Sequence, residues 1–305
     1  MTSRDRIGDY CVLIQSLKEI LKPVNYLVLK LYHGYNESRY EPQDIDIFIG
    51  KNLRRVLCVL KSIRVAFPES KAIRRKHLSL SINIFIYEYS LDVDLYLEAI
   101  FSPIFILDEI PKNIKITTIP WCRGIEVSSL DTSFNAFYIL IHALRHKRLY
   151  DYEVISLIKE LNDFNKTDCK NFLLYVKESG LENVMALLLK LILYHSKSIL
   201  KASVKQYSMF YRTVLKMYKI LSIEKTSINS FVNNFIENIV KLTLRKASSR
   251  HIGLWLVFPF YVVRTFVLAL KSLSRKSFNI LLKIIFIYLF YEYVITLFNK
   301  LKILK

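Results

Sequence analysis

Residues 43–49 read Gln-Asp-Ile-Asp-Ile-Phe-Ile and stop at Gly50. Polar and apolar side chains alternate with period two, which predicts a half-buried β-strand. Asp44 and Asp46 stand two apart, so both carboxylates leave the same face of that strand. The pattern recurs in Leu91-Asp-Val-Asp-Leu-Tyr-Leu97, where Asp92 and Asp94 share a face. Ionised aspartate is disfavoured in a sheet, and like charges side by side repel. A bound Mg²⁺ or Mn²⁺ removes the conflict, because hard cations take oxygen ligands, and carboxylates from two strands can converge on one ion. Phosphoryl and nucleotidyl transfer use such clusters to hold metal against the attacking and leaving oxygens. The competing reading is a solvated strand face kept soluble by alternating aspartate, and the second pair weighs against it.

Working outward, residues 9–21 carry apolar positions at helical spacing and end at Lys22-Pro23, and Tyr26–Tyr32 reads as a strand. Residues 51–66 look helical. From His77 to Glu98 two β-rich runs flank a turn at Glu88-Tyr-Ser, which predicts a hairpin, and a short strand is expected near Ile114–Thr118. Beyond Leu130 the period changes to 3.6. Asp131, Thr132 or Ser133 caps a helix over FNAFYILIHALRHK, and Asp151 is expected to cap the next, DYEVISLIKELNDF. Everything further reads as helix, with polar breaks near Asn165, Gly180, Ser196, Ser222 and Ser248. The expected organisation is an α/β domain over 1–127, a helical domain packing on it over 128–195, and a basic, hydrophobic helical region over 196–305.

The run LYHGYNESRYEPQDIDIFIG, over residues 31–50, resembles the signature of the polymerase-β nucleotidyltransferase superfamily: a glycine turn after a strand, about ten residues, then Asp-hydrophobic-Asp. The later VDLYLE supplies a third carboxylate between hydrophobics, and LIHALRHKRLYD fits the downstream helical block. The closest likeness is to nucleotidyltransferase-like proteins related to the aminoglycoside-modifying type, with Arg39 matching an arginine ahead of the aspartates. It covers about residues 26–163. The resemblance implies an α+β nucleotidyltransferase fold, a mixed sheet with flanking helices, followed by an all-α C-terminal region. It implies Asp44, Asp46 and Asp94 as catalytic metal ligands, with Asp92 the alternative to Asp94, which would act as base or activate the attacking hydroxyl. It implies Mg²⁺ or Mn²⁺ as cofactor and a nucleoside triphosphate as substrate. A nucleoside monophosphate would pass to a hydroxyl of a small-molecule or glycan-type acceptor. Gly34, Ser38 and Arg39, with His142, Arg145 and His146, are the expected nucleotide-binding residues. Tyr35 stands where the family usually has a second small residue after the glycine, and this favours an alternative: a catalytically inactive nucleotidyltransferase fold that binds without turnover.

His142 and His146 lie at i, i+4 on one helix face, but no H-E-x-x-H glutamate separates them and no cysteine is near, so the reading is not a zinc site. Arg145, Lys147 and Arg148 offer phosphate-binding charge, against the bland reading of a basic helix surface. The net charge of +19 is lopsided: from Ser196 onward 19 Lys and Arg face three acids, a balance of 19 − 3 = +16. Such a field implies an anionic partner. Residues 252–270 and 277–298 are apolar apart from Arg264, Lys283 and Glu292, which admits three readings: a soluble bundle, an interfacial helix on anionic lipid, or a membrane-spanning hairpin. A membrane-surface scaffold is therefore the second functional alternative. Lys, Arg, Tyr and Phe alternate through 197–250, a weaker pointer to RNA. The four cysteines show no C-x-x-C spacing, which argues against zinc and against a disulfide framework, and predicts a reducing, cytoplasmic setting; residues 252–298 are the segment through which the chain would associate with a membrane under the interfacial and spanning readings.

Overall fold

The computed structural model describes residues 3–30, 44–70, 74–76, 79–86, 89–97, 99–102, 105–107, 115–119, 122, 124–199, 204–223 and 251–276. Gly34, Tyr35, Ser38, Arg39, the stretch 224–250 and the apolar run 277–298 lie outside them.

The architecture is mixed α+β. Seven strands form one sheet in the order β3-β4-β5-β2-β1-β9-β8. Their ranges are β1 (Leu27–Val28), β2 (Asp44–Phe48), β3 (Arg74–Lys76), β4 (Ser79–Ile86), β5 (Tyr89–Tyr96), β8 (Lys115–Thr118) and β9 (Glu126–Ser129). The pairs β2–β5 and β1–β9 are parallel and the other four antiparallel. The expected hairpin is β4–β5. A separate small ribbon joins β6 (Ala99–Ser102) to β7 (Phe105–Leu107). Inward-facing Ile45, Ile47, Ile82, Ile84, Val93 and Leu95 are buried, as the alternation requires.

Helices α1 (Ser3–Leu21) and α2 (Leu53–Ala66) pack against each other beside this sheet. The first starts six residues before the expected Asp9. Asn52 caps α2 by accepting from Arg55 N at 3.0 Å. The most deeply set helix is α3 (Thr132–His146), nearly hydrophobic all round, with Phe134, Ala136, Phe137, Ile139, Leu140, Ile141, Ala143 and Leu144 all buried. Asp131 caps it, accepting from Phe134 N at 2.9 Å. Around α3 stand α4 (Asp151–Asn162), α5 (Lys166–Ser179), α6 (Glu182–Ile199) and α7 (Val204–Ile223). Two of the expected breaks are helix boundaries: Asn165 caps α5, and Gly180, at φ 67°, ends it. The expected break at Ser196 falls inside α6, where the buried hydroxyl donates to Leu193 O at 3.1 Å instead of terminating the helix. Asp151 is not the cap of α4 either. That position is Tyr150, and the Glu153 carboxylate reaches back to accept from Tyr150 N at 2.8 Å.

Three further expectations are corrected. The C-terminal region is not all-α: β11 (His251–Gly253) pairs antiparallel with β10 (Arg148–Tyr150), and three-residue strands are too short to leave a periodic signature. The apolar run 252–270 is accordingly divided between β11 and α8 (Phe258–Lys276). Its lone charge, Arg264, donates to Gly180 O at 2.7 Å and lies 3.8 Å from Glu182, which ties α8 to the α5–α6 corner. Among the described residues no helix is long and apolar enough to cross a membrane. Finally, Cys11 and Cys122 form a disulfide across a sequence separation of 111, leaving Cys58 and Cys169 free. Local spacing cannot register a pair that only tertiary folding brings together, and the argument for a reducing setting loses its premise. In the stretch read for RNA binding, Phe210 is buried, and Tyr211 and Tyr218 pack against the core.

Candidate metal centre

Strands β2 and β5 run parallel in the register Asp44↔Asp92 and Asp46↔Asp94. Carboxylate oxygens of Asp44, Asp46 and Asp94 lie within 4.8 Å of one another, the group among the described residues with the composition of a metal site. Asp46 and Asp94 are 2% and 3% exposed, while Asp44 is half-buried and opens the cluster outward. Asp92 does not join them. Its Oδ1 accepts from Asn83 Nδ2 at 2.9 Å, one strand further along the sheet, so Asp94 is the third carboxylate.

Lys30, two residues past β1, completes the centre. Its buried ammonium lies 2.7 Å from Asp46 Oδ2 and 3.7 Å from Asp44 Oδ1. It also stands 3.1 Å from His142 Nε2, whose other nitrogen, Nδ1, is 3.3 Å from Glu153 Oε1. An ammonium can only donate, so Nε2 is the acceptor and Nδ1 carries the proton toward Glu153. Asp46, Lys30, His142 and Glu153 thus form one polar chain running from the sheet through α3 into the first turn of α4. Tyr10, on α1, donates to Asp44 O at 3.3 Å. Tyr138, one turn before His142, lies near Tyr96 at the end of β5.

The electrostatics follow from burial. Loss of water pushes the Asp46 carboxyl up to about 7; Lys30 opposes that shift, and Asp44 and Asp94 reinforce it. Burial also works against the charge on Lys30, but Asp44 and Asp46 outweigh it and hold the ammonium above its ordinary range. Burial raises the phenols of Tyr96 and Tyr138, with Asp46 adding to the shift and Arg145 partly opposing it. Three carboxylates crowd together here, two of them beside the Lys30 ammonium. At an effective dielectric near 20, two like charges about 5 Å apart repel by roughly 3 kcal/mol, so this convergence is not incidental. Among the described residues, Asp46 Oδ1 is buried with no hydrogen-bond partner. An all-oxygen donor set and an unsatisfied buried oxygen together fit Mg²⁺ or Mn²⁺.

The structure places the other expected residues as follows. His142 meets Lys30 directly, His146 sits one turn on with ring centroids 4.2 Å apart, and Arg145 is within electrostatic reach of Tyr96 and Tyr138. Lys147 does not face the cluster. It takes a left-handed φ of 57° at the end of α3, and its ammonium stacks over Trp255 and Phe258 at 4.9 and 4.5 Å. Arg148 is exposed on β10. Lys30, Glu153, Tyr10, Tyr96 and Tyr138 went unnoticed in the sequence. A usable signal existed for Lys30 alone, a single charge inside the apolar run Tyr26–Tyr32 that had to find a partner if buried. No family model, no curated protein and no solved structure matches the chain.

Proposed function

We propose that this protein is a divalent-metal-dependent nucleotidyltransferase that moves a nucleoside monophosphate from a nucleoside triphosphate to a hydroxyl of a small-molecule or glycan-type acceptor. The supporting observation is the meeting of Asp44, Asp46 and Asp94 across two parallel strands. The likeness of residues 26–163 to the polymerase-β superfamily points the same way. Asp44 and Asp46 would hold the cation, and Asp94 would complete its ligand set and take the proton of the attacking hydroxyl. That oxygen forms a bond to the α-phosphorus as the bond to pyrophosphate breaks, and pyrophosphate leaves with the electron pair. A bound divalent ion supplies Lewis-acid stabilisation of the charge developing on the phosphoryl oxygens. Lys30 and Arg145 add fixed positive potential on the same side.

The test uses labelled nucleoside triphosphates with Mg²⁺ or Mn²⁺, alone and with cell extract. A product formed by the wild type and lost in Asp44→Ala/Asp46→Ala is expected. Identical product profiles would refute the enzyme reading. Tyr35 in the glycine turn favours one alternative, a nucleotide-binding protein without turnover, and metal-dependent triphosphate binding with no product would establish it.

A further inference from the structure

Helix α8 carries apolar side chains on two faces, and the protein covers one of them. On the inner face Leu268 is buried, Tyr261 packs against the core, and Arg264 donates to Gly180 O at 2.7 Å. On the outer face Pro259, Val262, Val263, Phe266 and Leu270 recur at i, i+3, i+4, i+7 and i+11, which makes one continuous stripe. Val262, Val263, Phe266 and Leu270 are between 43% and 62% exposed, and Trp255, just ahead of the helix, is 61% exposed. At 1.5 Å per residue the stripe is about 17 Å long. Single apolar side chains on a surface are ordinary, but a contiguous row marks an interaction face.

Basic charge stands at both ends of this row. Ahead of it Lys147 lays its ammonium over the Trp255 ring at 4.9 Å, and exposed Arg148 is the register partner of Gly253 in the β10–β11 ribbon. Gly253 leaves room for the indole, since a Cβ there would meet Trp255 Cδ1 at 3.2 Å. Trp255 is thus seated facing outward. At the far end the sequence of α8 supplies Lys271, Arg275 and Lys276, and the helix contains no acid.

We infer that the Trp255–Leu270 face docks on an anionic lipid bilayer, with α8 lying in the plane of that surface. The stripe side chains offer no hydrogen-bonding group, so their contacts are non-directional. A folded protein partner is met with about one hydrogen bond per 100–200 Å², whereas fluid hydrocarbon requires none. Lys147, Arg148 and the basic end of α8 meet the headgroups, and the indole suits the boundary between headgroup and acyl chain. An interfacial helix sinks its apolar face roughly 5–10 Å. Arg264, tied to Gly180 and 3.8 Å from Glu182, keeps α8 against the protein body, so the helix lies on the bilayer and does not cross it. The inference is independent of the metal centre and of the reaction proposed above.

The experiment sediments the full chain with vesicles of phosphatidylcholine, alone or mixed with phosphatidylserine, and reads tryptophan quenching by brominated acyl chains. Wild type is expected to bind the serine-containing vesicles, less so in high salt, with quenching that is lost in Trp255→Phe. Phe266→Ser/Leu270→Ser changes surface side chains and is expected to weaken partitioning about tenfold or more. Lys147→Gln/Arg148→Gln is expected to weaken it about fivefold for each charge removed. No binding to either vesicle would overturn the inference. So would binding that survives Phe266→Ser/Leu270→Ser undiminished, or quenching that persists in Trp255→Phe and is no weaker, because another segment would then hold the lipid. A lipid-free dimer, or a Trp255 already shielded from aqueous acrylamide, would assign the stripe to a second copy or to residues 277–298 and overturn it equally. The comparison of wild type with Trp255→Phe decides even if the double variant does not fold.

Discussion

Glu153 offers a way to test whether the polar chain behind the aspartates works as its geometry implies. One carboxylate does two jobs: Oε2 accepts from Tyr150 N at 2.8 Å to cap α4, and Oε1 receives the His142 Nδ1 proton at 3.3 Å. Glu153→Ala removes the cap interaction, worth about 1 kcal/mol. It also strands a donor in the interior, which costs about 1–3 kcal/mol. The expected loss of stability is therefore about 2–4 kcal/mol. Glu153→Gln is the sharper variant. An amide has one acceptor end, and if this keeps the cap, its NH₂ must face His142 Nδ1. The imidazole then has to move its proton to Nε2, which aims an N–H at the Lys30 ammonium 3.1 Å away. Two donors cannot share that contact, so a near-isosteric change should still cost about 1–3 kcal/mol. Urea denaturation gives the stability, and two-bond proton–nitrogen NMR of the histidine ring gives the tautomer. If Glu153→Gln falls within about 0.5 kcal/mol of wild type and His142 keeps its proton on Nδ1, the chain does not operate as described.

Two other outcomes follow from buried groups away from the aspartates. Burial lifts the Glu160 carboxyl well above its ordinary value, opposed by the hydrogen bond from Asn135 and by Lys115. Its folded pKa exceeds its unfolded one, so its contribution is full below the unfolded pKa and is lost as pH rises through the folded value. Glu160→Gln, which keeps an acceptor for Asn135, should flatten the alkaline side of a stability-versus-pH profile; an unchanged slope would contradict this. Cys122→Ser opens a link spanning 111 residues and should cost about 2–4 kcal/mol in chemical denaturation under non-reducing conditions, with no loss for Cys169→Ser.

Much of the sheet was legible because alternation is a local property. Asp44, Ile45, Asp46 and Ile47 announce both a strand and its faces, and Asp92–Leu95 repeat the message. The parallel register that sets Asp46 beside Asp94 is not local, and no residue in either strand encodes it. Asp131, Asn165 and Gly180 were readable as helix boundaries since capping needs a particular side chain or a left-handed backbone at one position. Glu153 shows the limit: it caps α4 from inside the helix, where sequence pointed to the acid ahead of it, Asp151. Contacts such as Cys11–Cys122, β10–β11 and Lys30–His142 join segments more than a hundred residues apart, and their partners carry no matching pattern. Composition located the basic, apolar tail, yet only tertiary structure spends Arg264 on Gly180 and Glu182.

The most direct measurement on the central claim is anomalous scattering at the manganese edge from crystals grown with Mn²⁺. A peak within about 2.0–2.2 Å of carboxylate oxygens from Asp44, Asp46 and Asp94, absent in Asp46→Asn crystals, is expected. Saturating Mn²⁺ with no peak at these aspartates, or with their carboxylates turned apart, would contradict the assignment of a metal centre.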